Sequence, residues 1–145
     1  MDGDQVASIG PGLLVLLGVA SKDGSAEAHY IAARISRLRI FDDGSGRMNL
    51  SVKEAGGSVL LVSQFTLLAD TRRGNRPSFT GAAAPPVAEK LYLDVAAALK
   101  SEGLEVRTGV FGARMQVELV GDGPVTILLR KDPDPDSRNL EAASN

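Results

Sequence analysis

Val59-Leu60-Leu61-Val62-Ser63-Gln64-Phe65-Thr66-Leu67-Leu68 opens as a buried strand and then breaks into polar residues. A strand that only fills a core has no use for Ser, Gln and Thr, because each buried polar group must find a partner. Period-two alternation sends Ser63 and Phe65 to one face and Gln64 and Thr66 to the other. A kink near the strand end would gather several of them in one pocket. A Thr hydroxyl and a Gln amide there can position an ester or a ribose, and a free backbone N–H can hold an oxyanion. The competing reading is a plain strand end with satisfied hydroxyls.

A second interruption, Gly123-Pro124-Val125-Thr126, lies between Met115-Gln116-Val117-Glu118-Leu119-Val120 and Ile127-Leu128-Leu129. Proline removes a ladder donor, so it belongs at an edge, a turn or a site. An ordinary trans hairpin turn is the base-rate reading. X-Pro is also the linkage where a cis peptide is cheap, and a cis bond would aim two successive carbonyl oxygens at one ammonium group.

Outward from these islands, Val6–Ile9 reads as a short strand, and Leu13–Val19 as a strand buried on both faces. Ala28, Ile31, Ala32, Ile35 and Leu38 recur at helical spacing through Arg39, with Asp23 or Ser25 as the cap. A second helix starts at Pro85-Pro86 and stops at Gly103, with Val87, Leu91, Val95, Ala98 and Leu99 as its buried stripe. From Glu105 the chain reads as strand, with Met115–Leu119 alternating and Val125–Arg130 following a reversal at Gly121-Asp122-Gly123-Pro124. The order predicts a compact single α+β domain: a curved mixed or antiparallel, barrel-like sheet covered by two helices. The domain spans residues 1–130. Residues 131–145, rich in Asp, Pro, Ser and Asn, are expected to be a disordered tail.

The 145 residues include no Cys and one His. Thiol nucleophiles, Cys-type zinc sites and multi-His metal sites are excluded, and a Ser-His-Asp triad would have to use His29, inside a helix. Catalysis is left to hydroxyls, carboxylates, backbone dipoles or the substrate itself. Asp42-Asp43-Gly44-Ser45-Gly46 lacks the later ligands of a calcium loop, and neither metal nor cofactor is expected. A net charge of −2 excludes a broad phosphate-backbone binder. Arg72-Arg73-Gly74-Asn75-Arg76 is still a local basic feature, either a solvated loop or a hold on one end of a nucleic acid. No apolar run approaches the roughly 20 residues of a membrane span. The first residues carry no signal-peptide core, so the chain is expected in the cytoplasm.

Ser63-Gln64-Phe65-Thr66-Leu67 and Gly123-Pro124-Val125-Thr126 resemble the two signature motifs of the D-aminoacyl-tRNA deacylase (D-tyrosyl-tRNA deacylase) family. Ile9–Val19, Met48-Asn49-Leu50, Gly56-Gly57-Ser58, Arg76-Pro77-Ser78-Phe79 and Met115-Gln116-Val117 resemble it too, in order, so the likeness covers nearly all of Val6–Arg130. It implies a hydrolase that cleaves the ester of D-aminoacyl-tRNA, and also mischarged glycyl-tRNA, as proofreading in translation. It further implies a homodimer with cross-subunit sites, in which a cis Gly-Pro of one subunit enters the other's pocket. Carried onto this chain, Gly123 and Pro124 bind the substrate amino group and exclude L side chains, with Val125 and Thr126 supporting them. Ser63, Gln64, Phe65 and Thr66 line the ester and terminal ribose, Phe65 offering its N–H and Thr66 orienting carbonyl or water. Attack is assisted by the substrate's own ribose 2′-hydroxyl, whereas an older reading makes Thr66 a covalent nucleophile. Ala113 and Met115 wall the adenosine, and Arg72, Arg73 and Arg76 meet acceptor-end phosphates of the tRNA. No membrane or DNA partner is implied.

The chain departs from the family pattern twice. Gly121 stands where the family has Asn. The family's N-terminal strands, an apolar strand with a Gln-Arg pair and a second leading to a hairpin at Asp2-Gly3, are expected to be lacking. The alternative reading is therefore a catalytically impaired tRNA-end binding or interaction module.

Overall fold

The structure, a computed structural model, describes residues 4–133. The hairpin expected at Asp2-Gly3 and the tail beyond residue 133 lie outside the described residues. Along the chain come β1 (Gly12–Leu17), α1 (Ser25–Arg37), β2 (Phe41–Asp42), β3 (Met48–Leu50), β4 (Ser58–Ser63), a 3-10 turn (Phe65–Leu68), α2 (Pro85–Ser101) and β5 (Val106–Thr108).

β1, β4 and β5 form a parallel sheet in the order β1-β4-β5, with Leu13 opposite Val59, Leu17 opposite Ser63, and Val59 opposite Val106. Parallel neighbours need a crossover between them. α1 lies in the first crossover and α2 in the second, and the two helices pack against each other. The pleat turns Val59, Leu61 and Val106 into one core with Ala28, Ala32 and Ile35 of α1 and Leu91, Val95 and Leu99 of α2. β2 and β3 make a separate antiparallel ribbon, Phe41 opposite Leu50. Its turn is organised by the Asp43 carboxylate, which accepts from the backbone N–H groups of Ser45 and Arg47 and from the Asn49 amide. Those bonds hold the Asp43 carboxyl below its usual range.

α1 is capped by Gly24, whose N–H donates to Glu27 at 2.8 Å, while Asp23 serves the Ala20 N–H instead. It ends at Arg37, two residues short of the expected Arg39, because Leu38 turns extended. α2 has Pro85 and Pro86 in its first turn, and Gly103 follows its end with φ +90°. A left-handed residue is where glycine is favoured.

The α+β class, the two helices and the coexistence of parallel and antiparallel pairing agree with the sequence reading. The strands do not close into a barrel among the described residues. Val6–Ile9, Met115–Val120 and Val125–Arg130 form no strand. Alternation gives a ribbon an apolar side, but a strand exists only with a neighbour to take its ladder bonds. Among the described residues no backbone hydrogen bond ties 114–133 to another segment. Val120 is 93% exposed and Leu128 87%. Leu13–Val19 was expected to be buried on both faces, yet Leu16 is 43% exposed. β1 is an edge strand with helices on one face only, which is why its other face stays open.

Tyr92 of α2 crosses to the sheet and donates its hydroxyl to the Leu61 carbonyl at 2.9 Å. Its ring, 2% exposed, leans on Phe111 with centroids 5.8 Å apart. The same carbonyl accepts the Gly109 N–H at 3.1 Å, so Tyr92→Phe leaves no orphan acceptor. That substitution should cost about 1 kcal/mol in urea unfolding. Gly12→Ala should cost more, because a Cβ there would stand 1.9 Å from the Ser58 carbonyl oxygen and force β1 off β4.

Candidate active site

β1 and β4 end together, with Leu17 beside Ser63, and the Gln64 N–H adds a last bond to the Leu17 carbonyl at 2.8 Å. There the chain leaves the sheet. Gln64 carries φ −142° and ψ 82°, and Leu67 and Ala69 donate back to the carbonyls of Gln64 and Thr66. The kink anticipated from the sequence is thus a 3-10 turn. It breaks the alternation expected for the four residues and lets the Gln64 amide donate to the Thr66 hydroxyl at 2.5 Å. Among the described residues neither the Phe65 nor the Thr66 N–H makes a hydrogen bond, so backbone donors remain free in this turn. Ser63 and Gln64 are half-buried, whereas Phe65 and Thr66 are exposed.

Glycine at residue 18 leaves room for the turn to close over the end of β1. A Cβ on Gly18 would meet Leu68 Cδ2 at 2.5 Å and the Gln64 carbonyl at 3.2 Å. Phe65 is 56% exposed and meets Phe79 edge-on, ring centroids 5.0 Å apart. Phe79 follows Ser78, which pairs with Asp70 through two backbone bonds of 2.7 and 2.9 Å. Neither Gly18 nor Asp70 was singled out in the sequence. A glycine ending an apolar run, and an acid two residues before Arg72, were the available signals.

Arg72 grips the Asp70 carboxylate with a two-pronged fork at 2.9 and 2.8 Å. That side-chain bond, joined by the Arg72 backbone N–H, pulls the Asp70 carboxyl down to about 2. Arg72 is therefore occupied within the loop. Arg73 and Arg76 are exposed and make no ion pair among the described residues.

Met115 lies against the carboxyl end of the sheet. Its sulfur is 2.8 Å from where a Cβ on Gly109 would sit, with Val62 Cγ2 3.8 Å from the same point. Ala113, half-buried, donates to the Val110 carbonyl at 3.1 Å. The Gly123-Pro124 bond is cis, against the base-rate reading, and Gly123 has φ +127°. Residues 121–126 are all exposed, Val125 and Thr126 included. Among the described residues no hydrogen bond joins them to Ser63–Thr66. His29 stands exposed on α1, and the Gln64 amide is the only hydrogen-bond partner of the Thr66 hydroxyl among the described residues.

The family described as D-Tyr-tRNA(Tyr) deacylase matches residues 1–130. A D-aminoacyl-tRNA deacylase of Anaeromyxobacter dehalogenans is 56% identical over 140 residues, covering 97% of this chain and 90% of that protein. One of Deinococcus radiodurans is 57% identical over 129 residues, 89% of each. A solved structure described as c-Myc DNA Unwinding Element Binding Protein superposes with a TM-score of 0.83 at 38% identity, over 90% of this chain and 89% of that one. A probable eukaryotic D-amino acid tRNA deacylase superposes at 0.65 with 17% identity, over 77% and 81%, and shows the shared fold. Fold and relatives together define a hydrolase of the deacylase class. More narrowly, the chain belongs to the D-Tyr-tRNA(Tyr) deacylase family.

The Asp70–Arg72 fork has a measurable signature. The folded carboxyl titrates below its unfolded value, so its contribution is complete above the ordinary Asp range and lost as pH falls through about 2. An NMR titration of the Asp70 side-chain carbon should show a midpoint near 2. Arg72→Ala should return that midpoint toward the ordinary value of about 3.9.

Proposed function

We propose that this chain hydrolyses the ester between a D-amino acid and the 3′-terminal adenosine of tRNA, releasing tRNA and the D-amino acid in the cytoplasm. The observation that carries this reading is the Gln64–Thr66 turn at the end of β4, in a chain more than half identical to D-aminoacyl-tRNA deacylases. The free Phe65 N–H receives the charge that grows on the ester carbonyl oxygen, where a preorganised donor is most effective. Thr66 accepts from Gln64, which leaves its own hydroxyl proton to orient the carbonyl or the attacking water.

Among the described residues nothing hydrogen-bonded to Thr66 can serve as general base, so the ribose 2′-hydroxyl of the substrate assists the attack. Water adds to the carbonyl carbon, the oxyanion collapses, and the 3′-oxygen departs with a proton. Residues Ala113 and Met115 wall the adenosine. Arg73 and Arg76 meet acceptor-end phosphates, a task Arg72 shares only by releasing Asp70.

Handedness is set by a second copy. In the homodimer, Gly123 and Pro124 of one subunit reach the Ser63–Thr66 turn of its partner, Val125 and Thr126 bracing them. Their carbonyl oxygens take the substrate's ammonium group and leave no room for an L side chain, while a D side chain points outward. Glycyl-tRNA, with nothing to exclude, is accepted as well. Two features support this arrangement. The two motifs do not bond to one another within one chain, and Leu119, Val120 and Leu128 present apolar surface that a second copy would cover.

Matched D- and L-tyrosyl-tRNA decide the matter. Hydrolysis of the D form alone is expected; turnover of the L form, or binding without turnover, would overturn the proposal. With D-tyrosyl-tRNA, Thr66→Ala should lose roughly 10- to 100-fold in kcat, far less than the ~10⁴ or more expected for loss of a nucleophile. A substrate ending in 2′-deoxyadenosine should lose at least about 100-fold.

A further inference from the structure

Two adjoining concavities, about 490 and 350 Å³, lie around the last turn of α1 and the residues that follow it. Both are lined by Arg37 and Arg39, the smaller also by Arg34, the larger also by Asn49, Ser51 and Glu54. Arg34 and Arg37 are one turn apart, hence neighbours on the helix surface. Both are exposed and make no ion pair among the described residues. Arg39 is held in place: its Nε donates to the Asn49 carbonyl at 3.0 Å and a terminal nitrogen to the Asn49 side-chain oxygen. Glu54 is the one carboxylate lining this surface, and it is engaged by Ser51, whose N–H donates to it at 2.8 Å. Three guanidinium groups therefore face one occupied acid.

Basic residues at a helix C-terminus complement its dipole, which accounts for Arg34 and Arg37 taken singly. It does not account for Arg39, which lies beyond the helix and is fastened by Asn49. The topology also separates this cluster from the polar turn. β1 and β4 run toward Ser63–Thr66, and α1 runs back along the sheet for about 20 Å, so Arg37 lies toward the opposite end from the turn. That is beyond the terminal nucleotide of an RNA bound at the turn and within reach of its double-helical stem. Of the two buried serines lining the larger concavity, Ser36 spends its hydroxyl on the Ala33 carbonyl and Ser51 its N–H on Glu54, so neither is set to grip a small free anion. Long, exposed guanidinium groups suit a row of phosphates.

We propose that Arg34, Arg37 and Arg39 form a second phosphate-contact surface, holding the stem of the RNA whose 3′ end occupies the Gln64–Thr66 turn. The proposal rests on the substrate assigned above. On a chain of net charge −2 such a patch fixes orientation more than affinity.

The test uses the full chain and two double variants, Arg34→Gln with Arg37→Gln and Arg34→Glu with Arg37→Glu, leaving Asn49-bound Arg39 in place. Fluorescence anisotropy of uncharged full-length tRNA should show a plot of log affinity against log salt shallower by about 1.4 to 1.8 for the glutamine pair. For D-tyrosyl-tRNA, kcat/KM should fall roughly tenfold through KM, and further for the glutamate pair. D-tyrosyl-CCA trinucleotide, which has no stem, should be cleaved as by the unaltered chain. Equal losses on both substrates would mean a structural defect, and an unchanged salt slope would mean no phosphate contact; either overturns the proposal. If the unaltered chain cleaves neither substrate, the assigned reaction falls, and the anisotropy slope alone still decides for or against this surface.

Discussion

The parallel ladder between β1 and β4 is the constraint on which the rest of the molecule depends. Two strands that run the same way end at the same edge, and each must be followed by a segment that returns outside the sheet. α1 and α2 are those returns, and their packing on one face makes the core with Val59, Leu61 and Val106. At the shared edge, carbonyl and amide groups run out of ladder partners. Gln64 donates one more bond to the Leu17 carbonyl, after which the backbone curls, leaving the Phe65 N–H free and bringing Gln64 to Thr66. The proposed chemistry sits where the ladder stops.

Much of this was legible in the residues, for reasons that differ by element. The two helices were plain because their apolar residues repeat at a helical period, with prolines opening one and glycine closing it. The candidate site was suggested by polar residues in an apolar run, which call for an explanation. The conformation of that site was not. Alternation puts Gln64 and Thr66 on one face of an extended strand, whereas the chain curls into a 3-10 turn there, with room left for it by Gly18 just past the end of β1. The segments Met115–Val120 and Val125–Arg130 show the converse limit. Their pattern is that of strands, yet pattern states which side would be buried and says nothing of what buries it.

Charge is divided in a way that net charge conceals. Among the described residues, Arg72 is tied to Asp70 at one end while Arg73 and Arg76 make no ion pair; at the other, Arg34 and Arg37 make none beside a fastened Arg39. Exposed ion pairs contribute little to stability, and the Asp70–Arg72 fork is better understood as shaping its loop. The unpaired arginines are available for an external anion, which suits a mildly acidic protein that must release its product.

The burial of Tyr92 has an optical consequence. The chain contains no Trp and two Tyr, so its ultraviolet emission comes from Tyr30, exposed on α1, and Tyr92, enclosed between α2 and β4. Burial pushes the Tyr92 phenol up from its usual range, so it ionises less readily than the exposed Tyr30 while the helices lie on the sheet. The absorbance change of that one phenol is thus an intrinsic reporter of core opening, with no label attached.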